Sequence, residues 1–197
     1  MKRDQALKLL HEHMQNPNLR RHCYAVEAVM RGLAIRLNPE VDEHARAELV
    51  EAWGIAGLLH DADYEETKDE AHTKHTKVIM EWLEDLDAHT DIKDAIAAHG
   101  WKYVDGAPEP KTPMQWALYT CDELTGLIVA VALVKDEKKL SAVTVESVMK
   151  KWNQKAFAAG VDRKQIEMCN EMLGIPLSEF IQIALSSMQA IAPDLGL

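Results

Sequence analysis

Basic charge is scarce in this chain. Lys and Arg number 22 against 32 Asp and Glu, giving a formal charge of -10 at pH 7 and a pI near 5.3. A basic face that would attract nucleic acid or an anionic membrane surface is therefore not expected, and a small soluble partner fits better. Cysteine is scarce too. Cys23, Cys121 and Cys169 are odd in number and form no CxxC pair, so they read as reduced, mostly buried thiols of a cytosolic protein and not as a disulfide framework. The opening residues, MKRDQALKLLHEHM, lack the apolar run of a signal peptide and predict an amphipathic first helix and a cytoplasmic protein. The longest strongly apolar stretch, Leu124 to Val134, is shorter than the roughly 20 residues a membrane span needs, and reads as a core helix. Sustained period-2 alternation, internal repeats, low-complexity tracts and interdomain linkers are missing as well.

What is present is helical periodicity. Apolar residues make up 47% of 197 positions and recur at three- and four-residue spacing, which predicts an all-α, single-domain bundle of about eight to ten helices. Breakers and caps set the boundaries. Asn16-Pro17-Asn18 separates the first helix from one ending at Asn38-Pro39, and Asp42 is placed to cap the next. A helix opens at Thr90 and Asp91 and closes before Gly100. Three prolines and two glycines make Gly100 to Pro113 a surface loop, and Pro113 suits the first turn of the following helix. Thr144, Asp162 and the pair Ser178-Glu179 are placed to open the last three helices, and Gly174 is placed to stop the second of them. The chain divides into a core of about residues 18–135 and C-terminal helices, 144–192, packing on it.

Two features stand out chemically. His60-Asp61 follows the apolar WGIAGLL and precedes an acidic turn. Imidazole and carboxylate are both ligands of first-row metals, although such a dipeptide is also how an ordinary helix end is capped. Asp122 lies inside an apolar helix, where an unpaired charge costs several kcal/mol, so it needs a metal or a cation such as Arg20, Arg21 or Arg31. His22 lies beside an apolar helix face and, alone, reads as a core or boundary residue. His72 and His75, three apart, are expected on one helix face, and His99 ends a helix, where the C-terminal dipole favours it. His11, His13, His44 and His89 sit among charged neighbours and read as surface.

This order of residues resembles the HD superfamily of metal-dependent phosphohydrolases. LLHDADYEETKDE and ALYTCDELTGLIVAVALVKDEKKL are similar to segments of small bacterial HD-domain hydrolases, as is SVMKKWNQKAFAAGVDR, and the likeness runs roughly from Asn18 to Gln182. The resemblance implies His22, His60, Asp61 and Asp122 as ligands of a divalent ion: manganese, iron, zinc, nickel or magnesium. Two-metal members carry further histidines, for which His75, in preference to His72, and His99 are placed, so a site for two ions is favoured over one. Such ions lower the pKa of bound water, to about 7 in favourable zinc sites. Asp61 then orients water or bridges two ions.

The turn after Asp61 departs from better-studied relatives, leaving Asp63, Glu65 and Lys68 as candidate proton donors. The implied substrate is a nucleotide or another small phosphate ester, with Lys155 and Arg163 as candidate contacts to it. Lys150 and Lys151 are explained by a helix C-terminus. The competing expectations are an HD-fold di-iron oxygenase and a metal-retaining module that binds a nucleotide without turnover.

Overall fold

A computed structural model describes residues 1–86 and 88–197. Among the described residues there is no strand. The helices are α1 (Arg3–His13), α2 (Pro17–Leu37), α3 (Glu43–Leu59), α4 (Tyr64–Thr67), α5 (Ala71–Lys74), α6 (Val78–Asp85), α7 (Thr90–His99), α8 (Pro113–Leu133), α9 (Val145–Trp152), α10 (Arg163–Leu173), α11 (Leu177–Ala190) and α12 (Ala192–Leu195). The all-α expectation holds, and three of the twelve helices are single turns of four residues.

The caps explain most boundaries. Asn16 accepts from the backbone N–H of Asn18 and Leu19, with Pro17 opening α2. Asp42 accepts from His44 and Ala45 ahead of α3, and Asp162 from Lys164 and Gln165 ahead of α10. Thr112 and Thr144 form capping boxes with Gln115 and Ser147. Gly174 stops α10 with φ 65°, a left-handed conformation that glycine adopts without strain. One start differs. Helix α11 begins at Leu177 after Pro176 and has no side-chain cap, so Ser178 and Glu179 lie inside its first turn.

Helix α8 packs against α2, α7, α10 and α11. Its buried residues run from Met114 to Ala132 and face several neighbours, which is why the segment shows no wide polar face. By length and composition alone this helix could cross a membrane, with a mean hydropathy of 1.4 over its best window, but 67% of that window is buried inside the bundle. The apolar helix opens at Pro113, as its sequence predicts, runs to Leu133 and lies at the centre of the bundle.

Two stretches depart from the sequence reading. His72 and His75 do not share a helix face: α5 ends at Lys74, His75 is extended, Thr76 is left-handed at φ 65°, and α6 starts at Val78. The Gly100–Pro113 loop is not wholly exposed. Val104 and Pro110 are buried, and the Asp105 N–H donates to the His72 carbonyl at 2.7 Å.

Helices α2 and α3 form a close antiparallel pair. A Cβ on Gly57 would lie 2.8 Å from the Val26 carbonyl oxygen and 3.0 Å from Glu27 Cα. Above this contact, buried Glu27 binds Arg3 (2.7 and 2.9 Å) and Arg31 (2.9 Å), and Arg31 also reaches Glu51 (3.0 Å), tying α1, α2 and α3 together. Gly57→Ala should therefore cost about 1–3 kcal/mol by forcing the backbones apart. Gly126→Ala, mid-α8 with nothing within 4 Å of the new methyl, should stabilise by roughly 0.5–1 kcal/mol. Urea denaturation of both variants checks the pair, and equal effects would contradict the packing described.

Candidate metal centre

The residue after α3 is His60, fully buried, and Asp61 follows it. His22 comes from the first turns of α2, Asp122 from the middle of α8, His99 from the last residue of α7, and His75 from the extended turn between α5 and α6. Residues a hundred positions apart in sequence meet here. His22 Nε2 is 2.9 Å from Asp122 Oδ1 and 3.6 Å from Asp61 Oδ2, and His60 Nε2 lies 3.4 and 3.6 Å from the same two atoms. On the other side, Asp61 Oδ1 is 3.2 Å from His75 Nε2 and 3.4 Å from His99 Nε2.

These spacings match a coordination shell. Donors about 2.1 Å from one ion are about 3.0 Å apart at right angles and about 3.4 Å apart in a tetrahedron. Three overlapping groups, His22-His60-Asp61, His60-His99-Asp122 and Asp61-His75-His99, keep their donor atoms within 4.8 Å of one another and could each hold a metal ion.

The outer hydrogen bonds make the donor set specific. His60 Nδ1 donates to the Gly57 carbonyl at 2.8 Å, His99 Nδ1 to the Ile96 carbonyl at 2.7 Å, and His75 Nδ1 to Asp63 Oδ1 at 2.7 Å. Thr125 Oγ1 donates to the Asp122 carbonyl at 2.8 Å, which leaves it to accept from His22 Nδ1 at 3.2 Å. With every Nδ1 carrying its proton outward, every Nε2 turns a lone pair inward. The pairs His22-His60 and His75-His99 then face each other nitrogen to nitrogen at 3.2 Å, a repulsive arrangement unless positive charge lies between them.

Electrostatics points the same way. Burial works against charge on His60 and His75, but Asp61 with Asp122 raises His60 to about 9, and Asp61 with Asp63 raises His75 to about 9. Burial opposes ionisation of Asp61 and Asp122 as well, yet the imidazoles hold both carboxyls well below the usual range. Among the described residues no Lys or Arg pairs with either carboxylate. Arg20 donates to the carbonyls of Met14 and His11, Arg21 to Asn18, and Arg31 to Glu27 and Glu51.

Other expected residues lie elsewhere. Asp63 is fully buried, accepting from His75 Nδ1 and from the Ile79 N–H at 3.1 Å, so it orients the His75 ring and is not free to donate a proton. Glu65 accepts from the N–H groups of Gln15 and Asn16. Lys68 is exposed on a short turn outside the cavity. Lys155 is exposed and does not line it either. Arg163 is spent internally, donating to the carbonyls of Trp152 (2.8 Å), Phe157 (2.6 Å), Ala158 (3.3 Å) and Val161 (3.3 Å). Of the expected surface histidines, His13 is half-buried, stacked on Trp82 with ring centres 3.6 Å apart.

A cavity of about 570 Å³ opens over the centre. Asp61, His75, His99 and Asp122 form its floor, and Tyr64, Trp101, Lys102, Tyr103, Tyr119, Glu123, Asp162 and Gln165 are in its walls. Asp61 and Asp122 are 16% and 22% exposed toward it, enough for a ligand to reach. Burial, and then the neighbouring Asp122 carboxylate, raises Glu123 to about 7. Sequence reading gave Asp162 a role as a helix cap and the other wall residues none, and it missed Thr125, which lies one turn beyond Asp122 on α8 and supports His22.

No protein-family model, curated protein or solved structure matches this chain.

Because His60 and His75 titrate at about 9, a metal ion taken up near pH 7.5 must displace their protons. Calorimetry in buffers of different ionisation enthalpy should show proton release, with affinity falling as pH drops. In the metal-free protein the sign is fixed by the raised values: the stabilisation from these imidazoles is complete below about 6.5, their unfolded value, and is lost as pH rises through about 9. Melting of chelator-treated protein should accordingly be lower at pH 9.5 than at pH 6.5, and the reverse order would contradict the assignment.

Proposed function

We propose that the protein is a metal-dependent phosphohydrolase of the HD kind acting on a small phosphate ester. One observation carries this reading: Asp61 turns its two oxygens toward two different imidazole pairs, His22 with His60 and His75 with His99, every one presenting Nε2. Together with Asp122 this divides the ligands around a shared carboxylate, the pattern expected of a site for two divalent ions. His22, His60, Asp61, Asp122, His75 and His99 would hold such ions, whose chemistry when bound would be to supply an activated water and to offset phosphoryl charge. The residues do the rest. Asp61 fixes the spacing of the two halves, while Gly57, Ile96, Asp63 and Thr125 hold the four rings in place. Asp61 and Asp122 both line the cavity that Trp101 and Tyr119 help to wall, and a substrate reaches the carboxylates through it.

The ligand chemistry alone suits iron as well as manganese, so the test must separate phosphate release from oxygen chemistry. Protein purified without chelator is analysed for metals and assayed against a panel of phosphate esters with manganese, magnesium, zinc, nickel and iron. Metal-stimulated phosphate release is expected, abolished by Asp61→Ala in a protein whose helical circular dichroism is unchanged. Oxygen uptake with iron and no phosphate release would replace this reading with the oxygenase, and ligand binding without turnover would replace it with the binding module. Stoichiometry is a separate expectation: His75→Ala and His99→Ala should each lose one equivalent of metal, whereas full occupancy with weaker substrate binding would assign both imidazoles to the substrate.

A further inference from the structure

The cavity is poorly supplied with cations for a site that takes a phosphate ester. Asp61, Asp122, Glu123 and Asp162 all line it, and among the described residues Lys102 is the one Lys or Arg that does. An anion entering this space meets carboxylates on the floor and on one wall, so whatever is not neutralised at the floor falls to Lys102. The residues that basic-charge reasoning favours, Lys155 and Arg163, are respectively outside the cavity and committed to backbone carbonyls.

Lys102 is held in place by the turn that carries it. It lies three residues beyond His99, after the Gly100 cap of α7. Trp101 N–H donates to the Ala98 carbonyl at 3.1 Å, Tyr103 and Val104 N–H to the Gly100 carbonyl at 2.9 and 2.7 Å, and Asp105 N–H to the His72 carbonyl. Val104 is buried against Gly100, where an added Cβ would meet it at 2.9 Å. Within this tight turn Lys102 has φ 67°, a left-handed conformation that a residue with a Cβ adopts at a cost and that needs a reason. Its ammonium lies 3.8 Å from the centre of the Trp101 ring, which is itself packed edge-on against Trp116 and tilted on Tyr119, ring centres 5.7 and 5.4 Å away. The charge is therefore parked on an aromatic face at the cavity and not bound to any carboxylate.

Resting on the phosphohydrolase reading, we propose that Lys102 is the substrate-binding cation of this site, holding the non-bridging oxygens of a single phosphoryl group. The acidic wall of Glu123 and Asp162 limits that anion to one phosphoryl group: a di- or triphosphate chain would bring further negative charge against carboxylates with no second cation to meet it.

Inorganic phosphate is the probe, measured by equilibrium dialysis against manganese-loaded full-length protein, with metal content determined in the same samples. Lys102→Met should weaken phosphate binding about tenfold or more, the scale of one charge-assisted hydrogen bond, with manganese content unchanged. Lys102→Arg should restore most of the affinity, Lys155→Met should leave it as in the wild type, and pyrophosphate should bind more weakly than phosphate. Undiminished binding by Lys102→Met, or a loss on Lys155→Met in its place, overturns the assignment of Lys102, and tighter binding of pyrophosphate overturns the limit to one phosphoryl group. If Lys102→Met loses manganese as well, an unchanged phosphate affinity per bound manganese overturns the proposal and a weakened one supports it. Wild-type protein that holds manganese but binds no phosphate would instead bring down the phosphohydrolase reading and this inference with it.

Discussion

Two carboxylates enclosed by four imidazoles, with no Lys or Arg among the described residues to balance them, are the constraint from which the rest of the structure follows. Charge of this kind is tolerated inside a fold only when something positive is held against it. The framework is arranged to keep it in place. Helices α2 and α3 approach closely enough at Gly57 to bring His22 to His60, and α8 runs beneath them to deliver Asp122. Helix α7 ends where His99 is needed, its imidazole turned back onto its own Ile96 carbonyl. The proton that His60 holds in the absence of metal is the same positive charge in its minimal form.

Much of this was legible in the chain because helix signals are local. Asn16, Asp42, Thr144 and Asp162 cap where side chains of their kind are expected to, and Pro17 and Pro113 open the helices that follow them. The six residues that the resemblance implied as ligands lie together, although only His60-Asp61 and the acid Asp122 in its apolar run stood out on their own. The path between Asp61 and Val78 was not legible. An i, i+3 histidine pair looks the same in a helix as in a turn broken by a left-handed Thr76, and only tertiary contact decides.

Roles that depend on burial were harder still. Asp63 stands two residues from Asp61 and looks like a free acid, yet it is fully enclosed and bonded to His75 and Ile79. Arg163 looks like a phosphate contact, and its donors are consumed by four carbonyls of the segment before it. Lys102 carries no signal at all in sequence. An exposed lysine in a loop is the commonest of residues, and what distinguishes this one is its place relative to Trp101 and the cavity.

The four carbonyls gathered by Arg163 have a consequence for how such a protein can change. The segment they belong to folds around its own guanidinium, and it supplies Gly160 and Asp162 to the outer wall, while the floor comes from Asp61 beyond α3, His75 between α5 and α6, His99 at the end of α7 and Asp122 of α8. The two ends of the cavity are thus built from separate pieces of chain, joined where the Asp162 N–H meets Glu123 at 3.2 Å and where Gln165 Nε2 donates to the Tyr119 carbonyl at 2.6 Å. Substitutions in that segment can reshape the rim of the cavity and leave the imidazoles and carboxylates of its floor in place.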